Sequence, residues 1–277
     1  MSARMLEGKP IADKIKERLT GELQVLRKQI DPKLVALMVG ENKGAEMYAK
    51  MQAKACDGMG IAYELRALAQ DTTQDELEEA ITQLNDDKSV TGVILQMPVP
   101  QHINARAMQA AIAPVKDVDG VHPANLGAVV HGDRRLGPCT AQSVVELVEA
   151  SGVEIKGAEV CVVGHSEIVG KPVALLLLDQ FATTTVCHIE TKDTASHTRT
   201  ADILISATGV AGLIKPDWIK PGALVVDVGA PKADVAEGAE EVAGILTPVP
   251  GGVGPLTVTM LLKNTIESAK LQTGPCC

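Results

Sequence analysis

The residue spacing with the clearest chemical meaning is Val160-Cys-Val-Val-Gly-His-Ser-Glu-Ile-Val-Gly-Lys-Pro172. An apolar run, Val160 to Val163, meets Gly164, then a polar loop, Gly170 and a second apolar run from Val173 to Leu178. That order reads as strand, glycine turn and helix, a layout that brings backbone N–H groups and a helix N-terminus up to a phosphate. The spacing is G-x-x-x-x-x-G and not the G-x-G-x-x-G dinucleotide fingerprint, so an ordinary βα turn accounts for it as well. Glu190 lies about 20 residues beyond Gly170, near the distance at which an acidic side chain binds a ribose 2′-hydroxyl. A solvent-facing glutamate fits that position too. Six cysteines show neither C-x-x-C nor Cys/His ligand spacing, so no metal site is expected, and no phosphorylating P-loop is present.

Positioning these groups requires sheets and helices. Ile15, Leu19, Leu23 and Leu26 carry helical spacing within Ile11 to Arg27. Lys33 to Val39 reads as a buried strand, Ala45 to Gly58 as a helix and Ile61 to Ala67 as a second strand. Thr73-Gln-Asp-Glu76 is a capping box that opens a helix through Leu84. Gly92 to Gln96 is a third strand, and Asn104 to Ile112 a short helix. Pro114 to Pro123 is too rich in turn formers for regular structure. Thr140 to Ala150 is a helix; strands follow at Thr183 to His188, Ile203 to Ser206 and Ala223 to Val228. An amphipathic helix, Thr257 to Lys270, ends the chain. Strand–helix alternation on both sides of about residue 125 implies two open, mostly parallel α/β sheets. Ligands in such sheets sit at the carboxyl ends of strands, here the loops after Val39, Gln96, Val163 and Val228.

With 277 residues there is room for one large or two modest domains. The net charge of −9 argues against a nucleic-acid or anionic-membrane surface. No apolar run approaches the ~18 residues of a membrane span, and the N-terminus lacks the apolar core of a signal peptide. Phe181, Tyr48, Tyr63 and Trp218 are the only aromatic residues, so the cores must be aliphatic and a lone aromatic beside polar groups is worth weighing. Cys161 and Cys187 sit in strand-like runs as small hydrophobes, which fits a reduced, cytoplasmic chain. Cys276-Cys277 suggests lipidation or redox sensing less than an inert tail.

Tyr48, Gln96-Met-Pro-Val-Pro-Gln-His102, Lys116-Asp-Val-Asp-Gly120, the Gly164 loop, Val226-Asp-Val-Gly229 and Thr247-Pro-Val-Pro-Gly-Gly-Val-Gly-Pro-Leu-Thr257 together resemble the methylenetetrahydrofolate dehydrogenase/cyclohydrolase (FolD) family over nearly the whole length. The resemblance implies an α/β catalytic domain over residues 1–122, a Rossmann-type NAD(P)-binding parallel sheet over 123–256, and a helix at 257–272 packed back on the first domain. It also implies a folate-binding cleft between the domains, and a homodimer. Two reactions share that cleft in the family: hydride transfer from methylene-tetrahydrofolate to NAD or NADP, then hydrolysis of the methenyl product. By the resemblance Tyr48 packs on the folate, Gln96 stands beside the catalytic lysine and Asp119 holds the pterin ring. Pro98, Pro250, Gly251 and Gly252 complete the substrate side. Gly164, His165, Ser166, Gly170, Ile189, Glu190, Thr208, Gly209 and Ala230 fall on the cofactor side. The chemistry of Asp119 agrees, since a carboxylate accepts paired N–H bonds from an aminopyrimidine edge; an acidic turn residue is the bland alternative.

The departures sharpen the expectation. The family pattern is Tyr-x-x-x-Lys, one helical turn apart; here the sequence is Tyr48-Ala-Lys-Met-Gln52. Lys50 lies roughly 160° from position 52 around a helix, and Lys54 is similarly off the face. An amide cannot act as general acid or base, so cyclohydrolase activity is expected to be weakened or lost. Hydride transfer needs aligned, dry partners and survives this change. His165 and Ile189 replace the basic or hydroxyl residues of NADP-using relatives, and Glu190 would repel a 2′-phosphate, which points to NAD. Ala230-Pro231 replaces the usual Ile-Asn, Thr140-Ala-Gln-Ser replaces Thr-Pro-x-Gly, and the segment between Pro231 and Thr247 is short and reads as lacking the usual Gly-Asp-Val stretch. These mark a divergent member and put the nicotinamide-side contacts in question. Two other readings stay open: a fully bifunctional enzyme, and a non-catalytic folate- or nucleotide-binding paralogue suggested by Ala230-Pro231.

Overall fold

A computed structural model of the chain describes residues 2–274; Cys276 and Cys277 lie outside the described residues. The chain opens with β1 (Arg4–Met5), α1 (Gly8–Leu26), β2 (Lys33–Val39), α2 (Lys43–Met59), β3 (Ala62–Leu68), α3 (Gln74–Asp86) and β4 (Gly92–Leu95). Three helices follow, α4 (Ala105–Ala111), α5 (Pro123–Val130) and α6 (Cys139–Ser151). Next come β5 (Glu159–Val163), α7 (Gly170–Leu178), β6 (Thr183–Cys187), α8 (Thr194–Thr198), β7 (Ile203–Ser206), β8 (Leu224–Asp227), β9 (Ile245–Leu246) and α9 (Val253–Thr273).

One compact unit comprises Ile15–Ala128, Arg135–Cys139 and the chain from Val258. Its sheet has the order β3-β2-β4, all parallel, with Leu34 opposite both Tyr63 and Gly92. Central β2, Lys-Leu-Val-Ala-Leu-Met-Val, is buried on both faces, as a near-continuous apolar run predicts for a parallel strand. Its core joins Val35, Leu37 and Val93 to Leu77, Ile81 and Leu84 of α3. The Thr73 capping box is formed: Glu76 N donates to Thr73 Oγ1, and Thr73 N donates back to Glu76 Oε2. The edge strand β3 is half-exposed throughout.

The other unit comprises the N-terminal segment up to Lys14, Val129–Arg134 and Thr140–Thr257. Its sheet has the order β1-β9-β8-β7-β5-β6, again all parallel, and the strand order reverses at β5 in the doubly wound manner. β7 and β8 are buried along their whole length.

Two expectations need correction, and three elements were not expected. The N-terminal segment does not belong with the first domain: Arg4 pairs with Ile245 and Met5 with Leu246, which adds β1 to the second sheet. The two-residue strands β1 and β9 and the helix α5 carry too little periodicity to be legible in the sequence, and α5 begins at Pro123, a residue suited to a first helical position. The last helix is longer than expected and is not amphipathic; it is buried along most of Val253–Thr273. Among the described residues no helix is long and apolar enough to cross a membrane.

Candidate active site

In the first unit the chemistry gathers around α2. Asn42 caps this helix by accepting from Ala45 N, and Ala45, Ala49, Gln52 and Cys56 form its buried stripe. Gln52 is therefore inside, fully buried, whereas Lys50 and Lys54 are exposed. The Gln52 amide oxygen accepts two hydrogen bonds, from Gln96 Nε2 at 2.7 Å and from the Tyr63 hydroxyl at 3.0 Å. Gln96 is buried directly beyond β4, held there by its backbone N–H donating to Leu37 O. Tyr48 is half-buried one turn before Gln52. Burial, then the carboxylate of Asp119, pushes the Tyr48 phenol well up, with the Gln52 amide opposing that shift, so Tyr48 stays a neutral hydroxyl. Tyr63 is likewise raised by burial. Sequence reasoning brought Tyr48, Gln52 and Gln96 together but did not assign Tyr63, whose only signal was its rarity as an aromatic.

Four of the five residues of Lys116-Asp-Val-Asp-Gly120 have structural tasks. Lys116 Nζ donates to the carbonyls of Leu84 and Asp87. The buried Asp117 carboxylate accepts from Gly120 N, His122 N and Asn125 Nδ2, which folds the turn. Val118 is in the core, its carbonyl accepting from Asn264 Nδ2 and Cys139 Sγ. Gly120 has φ +77, and a Cβ there would lie 2.3 Å from Gly137 O. The Asp119 carbonyl accepts from Cys139 N, while its carboxylate has no such structural bond. Burial, with a smaller contribution from the Asp117 carboxylate, pushes it up to about 7. Pro98, after a cis peptide bond, is exposed in the loop beyond Gln96.

In the second unit the Gly164 loop leaves β5 at the carboxyl edge of the sheet. Gly164 has φ +120, and a Cβ on it would stand 2.2 Å from Ala207 O; one on Gly170 would stand 1.9 Å from Gly164 O. Only glycine lets these backbone segments approach, which is the shape a dinucleotide backbone site requires. The first helical amides are partly engaged already. Ser166 Oγ accepts from Val169 N and Gly170 N, and Ser166 O accepts from Lys171 N, so Ser166 shapes the loop. His165 meets His188, with ring centroids 5.2 Å apart. His188 Nδ1 accepts from Glu190 N, which sets the exposed Ile189 and Glu190 at the end of β6. His188 was not foreseen.

Two buried aspartates organise the neighbouring loops. Asp227 accepts from Gly229 N, Asp234 N and Val235 N. Asp234 Oδ2 accepts from Thr208 N, Gly209 N and Ser206 Oγ. The short segment after Pro231 has Ala233-Asp234-Val235 in place of the usual Gly-Asp-Val, and its Asp234 and Val235 tie the Thr208–Gly209 loop to the end of β8. Ala230 is exposed and precedes a cis proline. In the Thr247–Thr257 loop Gly252 N donates to Pro248 O, and Gly251 O accepts from Gly8 N. Pro250, Gly251 and Gly252 thus belong to the unit of the second sheet, whereas Tyr48, Gln52, Gln96 and Asp119 belong to the other.

The comparisons with known proteins cover both units. The chain matches the tetrahydrofolate dehydrogenase/cyclohydrolase catalytic domain over residues 6–119 and the NAD(P)-binding domain of the same family over residues 138–273. The bifunctional protein FolD of Acetivibrio thermocellus is 46% identical over 281 residues, covering 98% of this chain and 99% of the relative. Among solved structures, the bifunctional FolD methylenetetrahydrofolate dehydrogenase/cyclohydrolase of Campylobacter jejuni superimposes with a TM-score of 0.93 at 41% identity, covering 98% and 99% of the two chains. The FolD enzyme of Trypanosoma brucei, solved with NADP cofactor and inhibitor, gives 0.91 at 36% identity, covering 98% of each. Matched in both domains and along nearly its whole length, the chain belongs to the tetrahydrofolate dehydrogenase/cyclohydrolase family.

Proposed function

We propose that the chain is a methylenetetrahydrofolate dehydrogenase that prefers NAD and has little or no methenyltetrahydrofolate cyclohydrolase activity. The observation that carries this reading is the state of position 52. Gln52 is buried, its oxygen is held by Gln96 and Tyr63, and both nearby lysines are exposed. An amide in that place can orient a substrate but cannot exchange a proton with it. A bound nicotinamide would supply the hydride acceptor, while the protein binds and aligns the folate and keeps water away. Asp119 accepts paired N–H bonds from the folate ring, and Tyr48 offers it a neutral aromatic face. Pro98, in the same unit, is its other contact. Gly164, His165, Ser166, Gly170, Thr208, Gly209 and Ala230 serve the dinucleotide.

Glu190 supports NAD: its exposed carboxylate stands at the end of β6, where it accepts from a ribose hydroxyl and repels a 2′-phosphate. Purified protein supplied with methylene-tetrahydrofolate and either cofactor should reduce NAD faster than NADP, and added methenyl-tetrahydrofolate should decay at its uncatalysed rate. Rapid catalysed decay would instead establish the bifunctional reading, which one observation favours: Asp119, at about 7, is a group able to carry a proton beside Tyr48.

The same reading makes the chain a cytoplasmic homodimer. Cys56, Cys139, Cys161 and Cys187 are free and buried, which suits a reducing compartment. β3 is a sheet edge with Leu65 exposed, and α2 beside it exposes Met47 and Met51, an apolar surface that a second copy would cover. Sedimentation of the protein and of a Leu65→Lys variant tests that arrangement.

A further inference from the structure

The Gln52 amide is incompletely satisfied. Its oxygen has two donors, yet its nitrogen, in a fully buried side chain, closes no hydrogen bond of good geometry, although the amide lies near enough to the Tyr48 hydroxyl to oppose the rise of that phenol. A buried donor left unpaired destabilises the fold, so such a group calls for a reason. The donors that hold the oxygen come from two different elements, Tyr63 on β3 and Gln96 beyond β4. Burial keeps the Tyr63 phenol protonated, so it can donate at any ordinary pH.

We propose that Tyr63 is a positioning residue of the folate site: with Gln96 it locks the Gln52 carbonyl oxygen and so aims the amide N–H group at an acceptor atom of the bound reduced folate. The missing partner of the Gln52 nitrogen is then the substrate itself. The chain has exchanged a titratable group at this position for a neutral donor whose direction is set before binding, and preorganisation of this kind reduces the ordering cost of association. A reversed amide would offer N–H groups to Tyr63 and Gln96 and leave an acceptor facing the ligand. The two orientations respond oppositely to a carboxylate at position 52.

The inference rests on the folate reading of the site, and its test is kept separate from turnover. Calorimetric titration with tetrahydrofolate compares the protein with Tyr63→Phe, Gln52→Ala, the double variant and Gln52→Glu. Tyr63→Phe should weaken tetrahydrofolate binding about three- to tenfold, the worth of one oriented hydrogen bond, and leave NAD binding unchanged. That loss should vanish in the Gln52→Ala background, since the hydroxyl acts only through the amide. Gln52→Glu, which replaces the donor by an acceptor, should weaken binding at least as much. Equal losses from Tyr63→Phe in both backgrounds, no loss at all, or a matching loss of NAD affinity would overturn the proposal. So would undiminished binding by Gln52→Glu, which also decides the matter if Tyr63→Phe fails to fold. A protein that binds tetrahydrofolate with this pattern but reduces neither cofactor would refute the dehydrogenase reading and leave the role of Tyr63 standing.

Discussion

Gln96 donates its side-chain amide hydrogen to Gln52 across 2.7 Å, linking positions 44 residues apart in sequence. The bond joins the carboxyl end of β4 to the buried face of α2, so the site is cross-braced at the position where the family pattern has an amine. A neutral brace binds and orients without moving protons.

Restoring the amine should restore the second reaction. Gln52→Lys should raise methenyl-tetrahydrofolate hydrolysis by roughly 10²–10⁴-fold over the unsubstituted protein, the usual worth of a general acid or base. The measurement is the decay of methenyl absorbance in the absence of nicotinamide cofactor. A variant that binds folate normally and hydrolyses no faster would show that the residue at position 52 does not limit the reaction.

Asp119 should make folate binding depend on pH. Its folded pKa is raised to about 7, so its protonated form is favoured in the free protein. Paired N–H donors require the carboxylate, so tetrahydrofolate affinity should rise with pH up to about 7 and then level off, with up to about tenfold change per pH unit below that point. Asp119→Asn should weaken binding by roughly 10–100-fold, the worth of a charged hydrogen bond, and flatten the profile. The sign for stability is opposite. A carboxyl raised in the fold contributes most below its unfolded value near 4, and that contribution is lost as pH rises through about 7. Thermal melts of the ligand-free protein between pH 4 and 8 should show Asp119→Asn gaining relative to the parent at the upper end.

Cofactor choice should follow the charge at the end of β6. Glu190→Ser should shift the ratio of kcat/KM for NADP over NAD upward, on the order of tenfold, by removing the charge that we propose faces the ribose 2′-position. Unchanged ratios would place Glu190 outside the ribose site.

The Gly164 turn should tolerate no side chain. Gly164→Ala sets a Cβ against the Ala207 carbonyl at φ +120, both of them backbone constraints that no rotamer change relieves. The expected cost is about 1–3 kcal/mol of stability from the backbone conformation alone, with NAD binding lost. Tetrahydrofolate binding, which we propose rests on Tyr48 and Asp119 in the other unit, should persist in calorimetry.

Elements with a long internal pattern were legible from residue types. β2 and β7 fall at Lys33–Val39 and Ile203–Ser206, the bounds that their apolar runs predict, and the Thr73 box marks the start of α3. Strands of two residues have no period to read, so β1 and β9 emerged only through their pairing. α9 misled for a related reason: alternation of polar and apolar residues predicts an exposed face, whereas Asn264, Thr265 and Ser268 are buried and hydrogen-bonded to backbone carbonyls. Local pattern cannot show which polar residues will find partners from distant chain.

By itself the sequence determined the parallel α/β architecture, the glycine turn at Gly164, and the substitution of an amide for an amine at position 52. The first two follow from residue type and near-neighbour spacing, and the third is what the resemblance to the family implies. Only the tertiary structure decided what that amide does. Tyr63, Gln96 and Asp119 approach Gln52 and Tyr48 because three strands and a turn converge, and whether a buried polar group is satisfied depends on atoms contributed by all of them. The same holds for Asp117, Asp227 and Asp234, ordinary acidic residues in the sequence whose hydrogen bonds hold the loops of both sites. Hydrogen-bond satisfaction is a property of the folded neighbourhood, and no spacing along the chain encodes it directly.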